Sequence, residues 1–295
     1  MALVATLIAN PSNPVVTKAL VSSACSALMV ENTVWLAEGI ACDLLLAADT
    51  DAGAAEEALR GAIGDAPVDV VVQNAATRRK KALLADMDST MIGQECIDEL
   101  AAEVGLKDKV AAITARAMNG EIEFEPAVRE RVALLKGLSI DIVDEIIEKR
   151  ITLTPGGRAL IATMQANGGY AALVSGGFTV FTSRIGAMLG FDENRANILM
   201  EDGGKLTGEV ADPILGREAK VEALNDVAAK RGISAEDIMA VGDGANDLGM
   251  IQLAGSGVAL HAKPKVAAEA RIRIDHGDLT ALLYIQGYHR KDFVA

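Results

Sequence analysis

Two aspartates one residue apart follow an apolar run in the stretch KKALLADMDSTMIGQE, residues 80–95. At the end of a strand, Asp86 and Asp88 would repel each other unless a hard cation lay between them. Mg²⁺ suits this position because it binds carboxylates together with a backbone carbonyl, water and phosphate oxygens. Such a cation would also neutralise a phosphate and leave one aspartate free to attack the phosphorus atom. The pair therefore indicates magnesium-assisted phosphoryl transfer.

Two later segments and one lysine add groups that suit the same chemistry. The segment VSGG contains Ser175, whose hydroxyl and neighbouring glycine N–H groups can approach an anion closely. The segment GDGANDLGM contains Asp243, Asn246 and Asp247 at a glycine-rich strand-to-helix turn, where a metal site could be completed. Lys220, within GREAKVEAL, supplies a cation that could hold a phosphate and balance the acids.

Each of these signals also has an ordinary structural interpretation. An isolated DxD occurs at turns and helix starts, SGG and GDG occur in many loops, and a single lysine on a helix is usually solvated. The four signals stand here in one order along the chain, and chance rarely produces that combination. Together they favour a functional site.

The elements that must position these groups are visible in the apolar pattern. From residue 82 onward, strands alternate with helical segments, which predicts a parallel sheet with helices on both faces. The strong strands cover residues 82–86, 170–177 and 237–244, and weaker ones cover 257–260 and 272–275. Open α/β sheets bind ligands at the carboxyl ends of their strands, so the sheet would bring the polar groups together.

Two further regions complete the predicted organisation. Between the first two strong strands, residues 92–150 have a mainly helical period and are predicted to form a cap inserted over the site, before a crossover helix in TLTPGGRALIATMQANG. Residues 1–75 have the βαββαβ order of ferredoxin-like folds and carry no nucleophile, metal cluster or phosphate loop. The length of 295 residues favours two domains, which we expect at residues 1–77 and 78–295.

Composition restricts the partners and the compartment. A net charge of −13 and a pI near 4.8 argue against nucleic acid or an anionic membrane as the main partner. No apolar run reaches the about 18 residues of a spanning helix, and the amino terminus does not resemble a signal peptide. The three cysteines fit no metal or disulfide framework, which predicts a reducing cytoplasm. The basic run RRKK, residues 78–81, is interpreted as a solvated linker.

The ordered motifs DxDxT, SGG, lysine and GDGxND resemble those of the haloacid dehalogenase-like phosphohydrolases, over residues 82 to about 285. Longer strings are similar to the phosphoserine phosphatase branch of that family: DMDSTMIGQECIDELA, AMNGEIEFEPAVRERVALLKGL, LVSGGFTVFTSRI, DGGKLTGEV and VGDGANDLGMI. Residues 1–75 resemble, more weakly, the ACT-like regulatory extension of bacterial members. The resemblance implies an α/β fold: a Rossmann-like parallel-sheet core with an inserted helical cap, preceded by a small ferredoxin-like (ACT-like) α+β domain.

The activity that the resemblance implies is hydrolysis of O-phospho-L-serine to L-serine and inorganic phosphate, the last step of serine biosynthesis. Asp86 would attack the phosphorus atom and form an aspartyl-phosphate. Asp88 would protonate the leaving serine oxygen and then take a proton from the hydrolytic water. The Asp86 side chain, the Asp88 carbonyl and Asp243 would bind Mg²⁺. Covalent catalysis suits the reaction because it divides one very slow step into two easier ones.

The resemblance also assigns the groups that bind the phosphate. Ser175, the Gly176 N–H and Lys220 would hold the phosphoryl oxygens, as charge-stabilising groups do in other phosphoryl transfers. Asn246 would reach the phosphate, and Asp247 would orient Lys220 or a metal-bound water.

Substrate choice is assigned to the cap. Glu95 matches the family position that holds the amino group, and Arg131 the position that grips the carboxylate, where a bidentate fork is apt. Without the resemblance, Arg131 would be interpreted as a surface helix residue. Met118 and Phe124 match apolar residues that close over the substrate. Pro126 departs from the family pattern, and a register shift there would weaken the assignment of Arg131.

Two other functions remain open at this stage. A phosphotransferase would pass the phosphoryl group from Asp86 to another alcohol, such as homoserine. A non-catalytic sensor would bind a ligand through residues 1–75, but it would not need Asp88 beside Asp86. We further expect a homodimer formed through the ferredoxin-like module, and serine-sensitive regulation.

Overall fold

The computed structural model describes residues 2–30, 32–118 and 121–294. Within these ranges, no helix has both the length and the apolar character needed to cross a lipid bilayer.

The first unit is a four-stranded antiparallel sheet with two helices packed on one face. Its elements are β1 (Leu3–Ala9), α1 (Lys18–Leu28), β2 (Thr33–Ala37), β3 (Ala41–Leu45), α2 (Ala52–Ile63) and β4 (Val68–Asn74). The strand order is β2-β3-β1-β4, and the βαββαβ order predicted from the sequence is confirmed. Both helices begin at a capping side chain: Thr17 accepts the N–H of Leu20, and Asp51 accepts the N–H of Ala54.

The second unit contains the parallel sheet. The strands from residue 82 onward are β5 (Ala82–Ala85), β6 (Tyr170–Phe178), β7 (Glu193–Asn197), β8 (Leu199–Asp202), β9 (Lys205–Val210), β10 (Ile238–Gly242), β11 (Ser256–Leu260) and β12 (Ile272–Ile274). Six of them form one sheet in the order β12-β11-β10-β5-β6-β7, with every neighbouring pair parallel. The three strong and two weak predicted strands are confirmed, whereas β7 and the β8–β9 hairpin were not predicted.

Helices cover both faces of this sheet. Those of the cap are α3 (Cys96–Glu103), α4 (Lys107–Met118), α5 (Phe124–Ala133) and α6 (Ile142–Lys149). Those of the core are α7 (Gly157–Ala166), α8 (Thr179–Leu189), α9 (Arg217–Arg231), α10 (Leu248–Leu253), α11 (Pro264–Glu269) and α12 (Ala281–Ile285). Successive residues of β5 face opposite sides of the sheet. Leu83 packs in the buried cluster that contains residues of α7, α8 and α12, and Leu84 packs in the cluster that contains residues of α9 and α10. The predicted fold class is confirmed.

The β8–β9 hairpin is hydrogen-bonded to the cap. The N–H of Gly137 donates to the carbonyl of Leu206 at 2.8 Å, and the N–H of Leu206 donates to the carbonyl of Leu138 at 2.9 Å. A third bond, of 3.0 Å, joins the N–H of Ile140 to the carbonyl of Gly204. The hairpin therefore continues the cap, although it is inserted much later in the chain.

The second face of the N-terminal sheet packs against the parallel-sheet unit. Ile8 and Val71 belong to the same buried cluster as Leu282 and Tyr284 of α12. A polar contact adds to this interface, because the carboxylate of Asp69 accepts the N–H groups of residues 275, 276 and 277, at 2.7 to 3.2 Å.

The basic run at residues 78–81 is not the solvated linker expected from its composition. The guanidinium of Arg78 lies 2.7 Å from the buried carboxylate of Asp43 in β3. Lys80 is 6% exposed, and its ammonium donates to the carbonyl of Glu236 at 2.7 Å. These two side chains attach the connection to both units, and their partners are distant in sequence.

Candidate active site

Polar residues at the ends of three adjacent strands line one cavity beneath the cap. Asp86 follows β5, Ser175 lies in β6 and Asp243 follows β10, and these strands are neighbours in the sheet. The cavity has a volume of about 670 Å³. The residues singled out from the sequence that line it are Asp86, Asp88, Glu95, Phe124, Arg131, Ser175, Gly176, Asp243 and Asn246.

Lys220 and Asp247 lie directly behind the lining. The ammonium of Lys220 is 2.7 Å from Asp86 Oδ1 and 2.5 Å from Asp247 Oδ1, and all three side chains are buried. The other oxygen of Asp247 accepts the N–H of Gly244 at 2.9 Å. Burial opposes the charge of Lys220, but the attraction of Asp247 and Asp86 outweighs it and raises the pKa of the ammonium. Lys220 is therefore held charged against Asp86.

The donor set fits a hard divalent cation. Carboxylate oxygens of Asp86, Asp243 and Asp247 lie within 4.8 Å of one another. Two lysines lie beside these three carboxylates: the buried Lys220, next to Asp86 and Asp247, and the half-exposed Lys263, 3.5 Å from Asp243. Burial, together with repulsion from Asp247, raises the pKa of both Asp86 and Asp243. A cation with oxygen ligands, such as Mg²⁺, would relieve that repulsion.

Asp88 forms its hydrogen bonds with residues outside that cluster. One oxygen accepts the N–H of Cys96, the first residue of α3, at 2.8 Å, and the other accepts the hydroxyl of Ser175 at 3.2 Å. Burial raises the pKa of Asp88, and the bonds from Cys96 and Ser175 only partly oppose this. A raised pKa favours the protonated form that a general acid requires.

Two glycines permit close approaches that a larger residue would prevent. A Cβ atom at Gly242 would lie 2.3 Å from Cγ of Asp247, and one at Gly177 would lie 2.8 Å from Oδ2 of Asp88. Glycine is therefore needed at both positions to bring the carboxylates to the strand ends.

The cap supplies the opposite wall of the cavity. Glu95 precedes α3 and accepts the hydroxyl of Ser89 at 2.8 Å, and burial followed by repulsion from Asp88 raises the pKa of Glu95. Arg131, in the last turn of α5, donates to the carbonyl of Ala127 and to Thr114. Burial lowers the pKa of Arg131. An acid and a guanidinium thus face one cavity from the cap.

Phe124 begins α5 and reaches across to the core. A Cβ atom at Gly216 would lie 3.3 Å from its ring, and one at Gly176 would lie 3.8 Å from it. The side chain of Met118 lies outside the described part of the chain, so its predicted role stays a prediction.

Three residues at the site were given no role from the sequence. The hydroxyl of Thr90 donates to Asp243 at 3.3 Å, and the ammonium of Lys263 lies 3.5 Å from the other oxygen of Asp243. Asp98 lines the cavity beside Arg131. Thr90 was visible as the last letter of DxDxT, whereas Lys263 and Asp98 carry no comparable signal.

Comparison with known proteins agrees with the motifs and the fold. The chain matches the family described as haloacid dehalogenase-like hydrolase over residues 83–252. A phosphoserine phosphatase of Polaromonas sp. is 45% identical over 208 residues, which are 69% of this chain and 88% of the relative.

Two solved structures extend the comparison to three dimensions. A HAD family hydrolase from Salmonella enterica serovar Typhi has a TM-score of 0.86 at 28% identity, and the alignment covers 97% of this chain and 98% of the other. A phospho-aspartyl intermediate analogue of phosphoserine phosphatase has a TM-score of 0.65 at 43% identity, with 70% of this chain and 98% of the other covered. The Salmonella likeness therefore includes the N-terminal unit.

Proposed function

The chain belongs to the haloacid dehalogenase-like hydrolases, and we propose that it hydrolyses O-phospho-L-serine to L-serine and inorganic phosphate through an aspartyl-phosphate. One observation carries the proposal. A buried aspartate, Asp86, is held 2.7 Å from a charged lysine in a cavity whose cap wall contains Glu95 and Arg131. The core thus offers a nucleophile and phosphate-binding groups, and the cap offers partners for an ammonium and a carboxylate.

The two chemical steps are assigned to two carboxylates. Asp86 attacks the phosphorus atom, and the bond from phosphorus to the serine oxygen breaks. Asp88 donates its proton to that oxygen, which its raised pKa supports. In the second step Asp88 removes a proton from the water that attacks the aspartyl-phosphate, and Asp86 and phosphate are released. Ser175, the Gly176 N–H and Lys220 hold the phosphoryl oxygens during both steps.

The cofactor proposed is Mg²⁺. Asp86, Asp243 and the Asp88 carbonyl would hold the ion, and Asp247 would support Lys220. When bound, the ion neutralises phosphate charge and acts as a Lewis acid on a phosphoryl oxygen. Asn246 lines the cavity and is assigned a contact to the phosphate.

Substrate choice is assigned to the cap. Phosphoserine carries an ammonium and a carboxylate besides its phosphate, and Glu95 and Arg131 complement these charges. The guanidinium of Arg131 lines the cavity and donates to two neutral acceptors, the Thr114 hydroxyl and the Ala127 carbonyl, which supports its assignment to a substrate carboxylate. Phe124 closes the apolar part of the wall.

The test is the release of inorganic phosphate from L-phosphoserine, with phosphothreonine and p-nitrophenyl phosphate as comparisons, with and without Mg²⁺. We expect Mg²⁺-dependent release that prefers phosphoserine and is abolished by Asp86→Asn. Asp226→Asn, at an exposed aspartate of α9, is the matched control and should retain activity. Release from p-nitrophenyl phosphate alone would overturn the assignment of phosphoserine as the substrate. Release that appears only when another alcohol accepts the phosphoryl group would identify a phosphotransferase, and stoichiometric binding without release would identify a sensor.

We also propose that residues 1–77 form a regulatory and dimerisation unit and that residues 78–295 form the catalytic unit. The N-terminal sheet has its own buried cluster, and β2 is one of its two edge strands, an edge of the kind that pairs with a second copy. Light scattering on the full chain should give twice the 30.7 kDa of one chain, and added L-serine should reduce phosphate release. A single-chain mass with no effect of serine would contradict this proposal.

The compartment proposed is the reducing cytoplasm. Cys25, Cys42 and Cys96 are all free thiols, and the latter two are buried. This supports a location in which disulfides do not form. A fusion to a redox-insensitive fluorescent protein, followed by fractionation, would test the location.

A further inference from the structure

The strand that carries Ser175 leaves the sheet just where it reaches the site. Val174 of β6 pairs with Arg195, and Phe178 pairs with Asn197, so β6 advances four residues while β7 advances two. Ser175, Gly176 and Gly177 form the bulged segment between these pairs, and all three line the cavity. The bulge frees their polar groups from the ladder, and some other contact must fix their orientation.

Asn197 supplies that contact. Its side chain is 1% exposed, and its amide donates to the carbonyl of Gly176 at 2.8 Å. The same amide donates to the carbonyl of Leu215 at 3.4 Å, and its oxygen accepts the N–H of Leu215 at 2.7 Å. Donor and acceptor are therefore both used, which fixes the orientation of the amide plane.

The hydrogen bond from Asn197 is linked to Asp88 through one peptide group. The Gly176 carbonyl and the Gly177 N–H belong to the same planar trans peptide and point in opposite directions. With the carbonyl held by Asn197, the Gly177 N–H donates to Ser175 Oγ at 2.9 Å. That oxygen accepts this bond through a lone pair, and its own proton donates to Asp88 Oδ2 at 3.2 Å.

We propose that Asn197 is a positioning residue for the reaction: it fixes the Gly176–Gly177 peptide and thereby the position of the Ser175 hydroxyl, which donates to Asp88 in the free enzyme and turns to a phosphoryl oxygen when substrate is bound. Its second contact keeps this bulge in register with Leu215, just before α9, the helix that carries Lys220. One buried amide is thus hydrogen-bonded both to the bulge that contains Ser175 and to the segment just before the helix that contains Lys220. This inference rests on the proposed function.

The experiment compares Asn197→Ala with Asn194→Ala, which lies on the same strand and removes a bond to Thr182 outside the cavity. Both phosphoserine and p-nitrophenyl phosphate are used, so the effect on the phosphoryl group is measured even if phosphoserine is not the substrate. Since loss of a direct oxyanion donor costs 10²–10³ in kcat, we expect Asn197→Ala to lower kcat about 10- to 100-fold for both substrates, with KM within about threefold. Asn194→Ala should stay within about twofold of the wild type.

A second variant separates the two contacts of the amide. Asn197→Asp, assayed at pH 8, keeps the acceptor for the Leu215 N–H but has no proton to donate to Gly176. We expect it to lose kcat to the same degree as Asn197→Ala, and it decides the question if the alanine variant does not fold. Full kcat in Asn197→Asp, or equal kcat in Asn197→Ala and Asn194→Ala, would overturn the inference. An inactive wild type on phosphoserine alone would count against the proposed function and not against Asn197.

Discussion

Replacement of Lys220 by methionine should destabilise the metal-free protein strongly, because this ammonium serves two buried carboxylates. Asp86 is 5% exposed and Asp247 is fully buried, and they lie 2.7 and 2.5 Å from Nζ. Methionine has a similar length but no charge, so both acids would be left without their cation. Removing one partner of a buried ion pair costs about 3–5 kcal/mol. For a chain of this size, that lowers Tm by roughly 10 °C.

The pH dependence follows from the direction of the pKa shifts. Burial and Asp247 already raise the pKa of Asp86, and loss of Lys220 would raise it further above the unfolded value of about 3.9. A carboxyl group whose pKa is higher in the folded state destabilises that state at high pH, and the cost is lost as the pH falls through the folded pKa and below. The gap in Tm between variant and wild type should therefore be largest near pH 8 and narrower at pH 5.

The assay is thermal unfolding followed by circular dichroism in the presence of a chelator, at both pH values. Lys230→Met is the matched control, since Lys230 lies on the same helix and its side chain is 55% exposed, although it too pairs with a carboxylate, that of Glu193. Its effect should be much smaller than that of Lys220→Met and nearly independent of pH. Equal Tm values for the two variants at pH 8, or a gap that does not narrow at pH 5, would refute the reasoning.

Three other substitutions test separate parts of the structure. Gly242→Ala should lower kcat at least about 100-fold, because its Cβ atom would lie 2.3 Å from Cγ of Asp247 and would force that side chain to move. Unchanged kinetics would contradict the assigned contact. Arg131→Lys should raise KM for phosphoserine about tenfold and leave that for p-nitrophenyl phosphate nearly unchanged, and equal effects on both substrates would remove Arg131 from the carboxylate site. Asp69→Ala leaves three backbone N–H groups without their acceptor and should cost about 3 kcal/mol in urea unfolding, whereas a cost below about 1 kcal/mol would show that water replaces it.

The elements that the sequence predicted well are those whose pattern is local. The strands ending at Asp86 and Asp243 are continuous apolar runs, and both appear in the structure almost as predicted. The site residues meet because parallel neighbours in a sheet bring their carboxyl ends together, which requires only the strand positions. These strands are apolar at every position because they are buried on both faces of a sheet that helices cover on both sides.

The features that were not predicted depend on contacts with residues that are distant in the sequence. β7, with the sequence ENRAN, is a polar edge strand, and the β8–β9 hairpin is largely exposed on β8, so neither has a clean apolar period. The charges of Arg78 and Lys80 were interpreted as solvated because their partners lie 35 and 156 residues away. Asn197 was invisible for the same reason, since its amide acts only once β6 bulges beside it.

The hydrogen bonds between the cap and the β8–β9 hairpin restrict how the cavity can open. The two chain segments that enter and leave the cap are themselves paired at Ile92 and Leu153, and together they act as a single narrow hinge. A lid on one narrow hinge has freedom both to swing and to twist. The bonds at residues 137–140 join it to the hairpin, so lid and hairpin should rotate as one body about the line from the Ile92–Leu153 pair to the ends of the hairpin. Substrate entry and phosphate exit are then governed by one rotational coordinate, which bends the backbone at the ends of the hairpin.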